Sequence, residues 1–401
     1  MQDTSHSQAR ASRAGWLTVD QCKVSDLAAL CQTVTAIEEL PNASAIIKGV
    51  PLYDCAALRA AQEATADASA WRAQLMAEWA GVWTTGPGIL IMKGLYADLN
   101  VVDETTEQFH RLIEETHKAG IGGDHFAKPG SNDRVWNALE KLCLRAPDVF
   151  ASYYGNSLMA MVCEAWLGPA YQMTSTVNCV NPGGAAQVAH RDYHMGFLSQ
   201  AQAQRYPAHV HTVSPMLTLQ GAVAHVDMPL ESGPTLYLPH SHKYLPGYLV
   251  SGMADFQSFF DSNHIQLALN KGDAIFFNPA LMHAAGHNRS KDIRRMANLL
   301  QISSAFGRAM ESIDRVRMAQ ALYPTLAALT QARTMAPDDL DAALAACAEG
   351  YSFPTNLDRD PPLNGLAPQS QQGLLRAALA EGQPAEQFSR RIEEREQTRR
   401  S

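Results

Sequence analysis

Apolar residues along this chain recur with two periods, and the switch between them divides it into helical flanks around a strand-rich centre. In residues 24–40, Leu27, Leu30, Cys31, Val34 and Ile37 fall on one face of a predicted helix that Pro41-Asn42 stops. Residues 56–83 are Ala-rich and carry Trp71, Leu75, Trp79 and Trp83 at steps of four, a stripe read as core packing in preference to a pocket wall. Further helices are predicted over 104–119, 136–144, 151–167 and 371–380, and over 306–348 with breaks near Pro324 and Pro337. Strand patterns occupy 89–92, 171–180, 213–226, 233–242, 274–277 and 293–303. The Gly-rich polar stretch 120–134 reads as a long loop. Its Lys128 and Arg134 are read as surface charge in preference to a grip on an acidic substrate. Residues 1–15 read as loose, and 351–362 as an extended segment.

Two short stretches in the centre carry the chemistry. The first is Gln187-Val-Ala-His190-Arg-Asp192-Tyr193-His194, and the second runs from His283 through His287 to Arg294. His190 and Asp192 are two apart, so on a strand they leave the same face. With His283 they make two imidazoles and one carboxylate, a set that holds Fe(II) on one side and leaves coordination positions open. Arg294 follows His283 by eleven residues, and a guanidinium fork suits a carboxylate-bearing co-substrate. A second H-x-D, His225-Val-Asp227, competes for the iron role, and its His reads as a hydrogen-bonded strand residue.

The paired stretches resemble the phytanoyl-CoA dioxygenase family of iron(II)/2-oxoglutarate oxygenases. The distal segment His283-Ala-Ala-Gly286-His-Asn288-Arg-Ser290-Lys-Asp-Ile-Arg294 is similar to that family's H-x-x-G-x-N-x-S-x-x-x-R. Glu231-Ser-Gly233-Pro-Thr235-Leu-Tyr-Leu-Pro239-His-Ser-His242 is similar to its middle segment, with His240 where glycine is usual. The resemblance covers roughly residues 87–305. It implies a mainly β core, a double-stranded β-helix (jelly-roll, cupin-like) over 87–305, with a helical N-terminal extension over 1–86 and a helical C-terminal extension over 306–401 packing on the core.

The resemblance also implies roles. His190, Asp192 and His283 would hold Fe(II), and O2 would be activated there. 2-Oxoglutarate would fill two positions on the metal and pair its far carboxylate with Arg294. Arg295, pointing to the other face of the strand, is excluded. Thr235, Gln187 and Asn178 are further candidates for holding 2-oxoglutarate, against ordinary strand or turn hydrogen bonding. Tyr193, His194 and His287 lie beside the ligands and are candidates for substrate contact or for orienting the ligands. The reaction implied is hydroxylation of a small molecule with release of succinate and CO2; desaturation and ring formation use the same site. One rival is a non-catalytic jelly-roll that binds a metal or ligand. Another is a zinc hydrolase, for which no H-E-x-x-H is present and which leaves Arg294 unexplained.

Composition narrows the rest. At 401 residues and 46% hydrophobic the chain can bury a large core, and 18% charged residues favour a compact globule. A net charge of −8 with no long basic block outside the C-terminal tail does not indicate a nucleic-acid surface. The seven cysteines are scattered without C-x-x-C, the pattern of reduced thiols in a cytosolic protein. No apolar run approaches the roughly 20 residues that span a bilayer, so no membrane partner is expected.

Overall fold

The computed structural model describes residues 15–120, 130–362 and 366–400. The strand-rich centre builds two sheets that face each other. Eleven strands run in chain order: β1 (Ala45–Ile47), β2 (Val50–Asp54), β3 (Ile89–Lys93), β4 (Asn132–Val135), β5 (Gln172–Val180), β6 (Thr218–Ala224), β7 (Leu236–Tyr237), β8 (Ile265–Gln266), β9 (Ala274–Phe277), β10 (His283–Ala284) and β11 (Arg295–Ser303). The large sheet has the order β1-β2-β3-β9-β6-β11-β5-β4, and the small one β10-β7-β8. The large sheet is mixed: β2 and β3 are parallel and every other neighbour pair is antiparallel.

Alternation along β11 shows how the large sheet divides its faces. Met296, Leu300 and Ile302 join the helical-side core with Val177, Leu219, Val223 and Phe276. Ala297, Leu299 and Gln301 point the other way and line a cavity between the sheets. The helical layer includes Ala68–Thr84, Leu99–Lys118, Pro147–Tyr154, Ser157–Leu167, Arg315–Ala332 and Pro337–Cys347. Trp79 and Trp83 of the aromatic stripe are fully buried there, and the Trp83 indole donates to the Phe276 carbonyl at 3.3 Å. The stripe is core, as its spacing predicted.

Several expectations are corrected. Residues 45–54, inside the segment read as helical, form a hairpin that extends the edge of the large sheet. Its turn is Lys48-Gly49, both at positive φ (50° and 81°), the two-residue turn that matches strand twist. The first helix is Val24–Cys31 and stops ten residues before Pro41; Val34, placed on the apolar stripe, is 86% exposed. Pro324 lies inside Arg315–Ala332 without breaking it, while Pro337 opens the next helix. Residues 208–216, partly read as strand, are helical up to Met216, and β6 begins two residues later. The helices after residue 306 share one core with the sheet's outer face. Lys128 and the first fourteen residues lie outside the described residues. All seven cysteines are free, and among the described residues no helix is long and apolar enough to cross a membrane.

Candidate metal centre

His190 and His283 meet at an isolated antiparallel bridge, each donating its backbone N–H to the other's carbonyl at 2.9 and 3.1 Å. That bridge brings together two stretches more than ninety residues apart. The His190 Nδ1 lies 2.8 Å from the Val188 carbonyl, and the His283 Nδ1 2.9 Å from the Leu281 carbonyl. A carbonyl only accepts, so both protons sit on Nδ1 and both Nε2 atoms carry free lone pairs. The His190 Nε2 is 3.6 Å from Asp192 Oδ1, and the His283 Nε2 is 3.3 Å from Asp192 Oδ2. One ligand atom from each residue lies within 4.8 Å of the others. Lone pairs converging from two imidazoles and a carboxylate repel unless a cation lies between them, so this donor set fits a divalent metal.

Electrostatics agree with that geometry. Burial alone would push the Asp192 carboxyl up, but the adjoining His283 and His190 imidazoles and the Gln220 amide carry it well below the usual carboxylate range. Burial and His283 push the His190 imidazole down, against the pull of Asp192. The carboxylate is ionised and His190 is biased to the neutral form, the states that metal binding requires.

A scaffold of buried bonds holds these ligands. The Arg191 side chain, 2% exposed, donates to the carbonyls of Ser241 and Tyr244 and lies 5.4 Å from the centre of the Tyr248 ring. The Tyr248 hydroxyl donates to the Asp192 carbonyl at 3.2 Å, and the Ser241 hydroxyl accepts from the Met282 N–H at 2.8 Å. The turn at His240–Lys243 thus braces both ligand-bearing stretches. His240 keeps the left-handed backbone (φ 67°) that a glycine there would adopt, and its Nδ1 accepts from Lys243 Nζ at 2.9 Å. Directly after Asp192 the chain bends through two more positive φ values, Tyr193 (60°) and His194 (39°). Backbone strain of this kind clusters at functional sites.

The ligands open onto a cavity of about 570 Å³ whose walls include Asn178, Gln187, Tyr193, Gln220, Thr235, Tyr237, Leu299 and Arg295. Asn178, Gln187 and Thr235, candidates for holding the co-substrate, and Tyr193, a candidate for substrate contact, line this cavity with the three ligands. His194 and His287 are not among its lining residues, and His287 is exposed. Arg134 lines the cavity edge, with its guanidinium 5.0 Å from the Trp136 ring centre.

The two adjacent arginines lie on opposite sides, and it is Arg295, not Arg294, that lines the cavity. Arg294 turns away from the cavity, half exposed, and pairs with Asp133 at 3.1 Å and donates to the Asn181 side-chain Oδ1 at 3.2 Å. Arg295, excluded from sequence, is 7% exposed and lines the cavity, and its Nη1 has no protein partner. Burial pushes its guanidinium down to about 10, so it stays charged at neutral pH. Register decides between the two. Fully buried Asn288 donates to the carbonyls of Val180 (3.0 Å) and Ile293 (2.8 Å) and accepts from the Ser290 N–H and hydroxyl. This turn pairs Arg295 with Val180 at the start of β11, and the pleat then sends Arg295 inward.

The second H-x-D has a different fate. His225 is buried on the helical side, with Nδ1 2.7 Å from the Thr106 hydroxyl and Nε2 2.9 Å from the Tyr153 hydroxyl. Asp227 accepts from the Lys271 N–H at 2.9 Å. Among the described residues, the one cluster able to hold a metal is His190, Asp192 and His283. Sequence reasoning missed Gln220, Arg191 and Tyr248. For Gln220 a signal existed, since it is the one amide in the otherwise small and apolar run Leu219-Gln-Gly-Ala-Val-Ala224.

A model of the family described as Phytanoyl-CoA dioxygenase (PhyH) matches residues 25–296. Among curated proteins, Dioxygenase andF of Emericella variicolor is 27% identical over 141 residues, which is 34% of this chain and 44% of that protein. Iron/alpha-ketoglutarate-dependent dioxygenase ausO of Aspergillus calidoustus is 26% identical over 241 residues, 58% of this chain and 77% of that protein. Among solved structures, HygX from Streptomyces hygroscopicus with nickel, 2-oxoglutarate and hygromycin B bound is 15% identical at a TM-score of 0.45, over 59% of this chain and 90% of that one. The non-heme alpha ketoglutarate dependent epimerase SnoN from nogalamycin biosynthesis is 18% identical at 0.42, over 58% and 84%.

Proposed function

The chain belongs to the phytanoyl-CoA dioxygenase family, and from that premise we propose that it is an Fe(II)- and 2-oxoglutarate-dependent oxygenase of a small molecule. His190, Asp192 and His283 hold the metal through two imidazole Nε2 atoms and a carboxylate oxygen. Bound Fe(II) supplies the site of O2 activation, where oxidative decarboxylation of 2-oxoglutarate to succinate and CO2 is coupled to hydroxylation of a substrate C–H bond.

The protein's own part is positioning. The observation that carries the reading is Arg295: a buried cation whose Nη1 has no hydrogen-bond partner among the described residues, on the wall of the cavity that the three ligands face. An unpaired buried guanidinium is costly, and a dicarboxylate bound to the metal by one end offers its other carboxylate as the missing partner. Thr235 and Tyr237 share that wall, with Asn178 and Gln187 nearby, as the remaining contacts to 2-oxoglutarate. The substrate enters on the side of Tyr193 and Phe197, the latter 56% exposed at the mouth. The two facing sheets are read as a double-stranded β-helix spanning residues 87–305, extended at one edge by the 45–54 hairpin and backed by the helices of 306–401.

The test is succinate release from anaerobically prepared protein given Fe(II), 2-oxoglutarate and air. Uncoupled turnover that disappears in His190→Ala, with a raised KM for 2-oxoglutarate in Arg295→Ala, is the expected result. Neither succinate nor a metal-to-2-oxoglutarate charge-transfer band under anaerobic titration would reject it in favour of a non-catalytic metal-binding protein.

A further inference from the structure

Gln220 sits on β6, in the middle of the large sheet, between Phe277 of β9 and Gln301 of β11 in cross-strand register. A strand paired on both sides gives it a rigid base. Its Nε2 donates to Asp192 Oδ2 at 2.6 Å, a short bond between an amide and an ionised carboxylate. No other side-chain amide among the described residues reaches a member of the ligand set. Gln301, its neighbour across the strand pair, points into the same cavity without touching Asp192, and its Oε1 has no partner.

We propose that Gln220 is a positioning residue that fixes the orientation of the Asp192 carboxylate against the two imidazoles, with Oδ2 held on the amide 3.3 Å from the His283 Nε2 and Oδ1 3.6 Å from the His190 Nε2. This rests on the metal reading above. A carboxylate free to rotate would lose that preset orientation toward the imidazoles, and the affinity for a metal with it. Because the anchor comes from the central strand of the large sheet while His190 and His283 come from the facing side, Gln220 also ties the metal centre across the cavity.

Co(II) binding to the metal-free protein tests this without turnover. Gln220→Leu is expected to weaken Co(II) by about 10- to 100-fold and to alter the visible absorption of the Co(II)-loaded protein. Gln301→Leu, which removes an amide from the same wall, is expected to match wild type on both. Gln220→Met, closer in shape, serves as the second variant if the leucine form does not fold, as judged from its thermal midpoint without metal. Wild-type affinity and spectrum in the folded Gln220 variant overturn the proposal, as does an equal loss in Gln301→Leu. A wild-type protein that binds no Co(II) or Fe(II) overturns the metal reading itself and this proposal with it.

Discussion

His190–Asp192 and His225–Asp227 are the same three-residue pattern with opposite outcomes. Around His190 only Nδ1 is engaged by the backbone, and Nε2 faces a second imidazole and a carboxylate. Around His225 both ring nitrogens are within hydrogen-bond distance of hydroxyls, those of Thr106 and Tyr153, and the aspartate caps a distant turn. A metal site therefore depends less on having the ligand types than on leaving their lone pairs unsatisfied and aimed at one point. His225 is instead the hub of a buried polar network, joined through Tyr153 to Asn298 and Tyr154. Within it the Asn298 Oδ1 is left without a partner among the described residues, so the network is not fully satisfied.

The largest expected effect is on the first pair. Asp192→Ala should remove Fe(II) binding beyond the ~100-fold that loss of an outer partner brings, and abolish succinate release. A titration showing metal affinity near wild type would break the contrast. Next comes the arginine pair. Arg295→Ala is expected to raise the KM for 2-oxoglutarate about 100-fold, the ~3 kcal/mol of a lost charge-assisted contact. Arg294→Ala, removing a half-exposed pair with Asp133, should leave it within about threefold. The reverse ranking would restore the arginine that motif spacing chose.

The second H-x-D answers to different readouts. His225→Ala should cost about 2–4 kcal/mol of stability through a cavity and stranded hydroxyls while leaving metal affinity unchanged. Denaturant midpoints and Co(II) titrations on the same samples separate the two. The smallest effect is on pH dependence. Burial holds the His225 imidazole at about 3, against an ordinary 6.5. A depressed folded value means the neutral form is favoured on folding, so its contribution is full above about 6.5 and is lost as pH falls toward about 3. The thermal midpoint of metal-free protein should fall across that window in wild type, and less steeply in His225→Phe.

Local pattern made a good part of the fold legible. Residues 274–277 and 371–380 were predicted with the bounds observed, and β5 and β11 to within two residues, because strong alternation or clear helix signals mark them. The strands at 132–135, 265–266 and 283–284 were not predicted, being two to four residues long and defined by their neighbours and not by any period of their own. The hairpin at 45–54 carried a readable Lys48-Gly49 turn, but its place beside β3 is a parallel, non-local pairing. Even the failed N-terminal helix boundary is informative: Val34 fits the apolar spacing and is solvent-exposed. Periodicity describes where a buried face would fall and cannot say that a partner arrives to cover it.

For the site, the residue types, their order and the spacing of the two stretches determined the ligand set and the chemistry it suits. Those are covalent facts of the chain, and no folding changes them. The choice between adjacent arginines, the sorting of two equivalent H-x-D pairs and the partnership of Gln220 with Asp192 belong to the tertiary structure. Each depends on which way a pleat faces, and a shift of one residue reverses every side chain on a strand. The bonds from Asn288 to Val180 and Ile293 set that direction for β11, and the Thr106 and Tyr153 hydroxyls occupy His225. These are contacts that arise only once segments far apart in the chain are brought side by side.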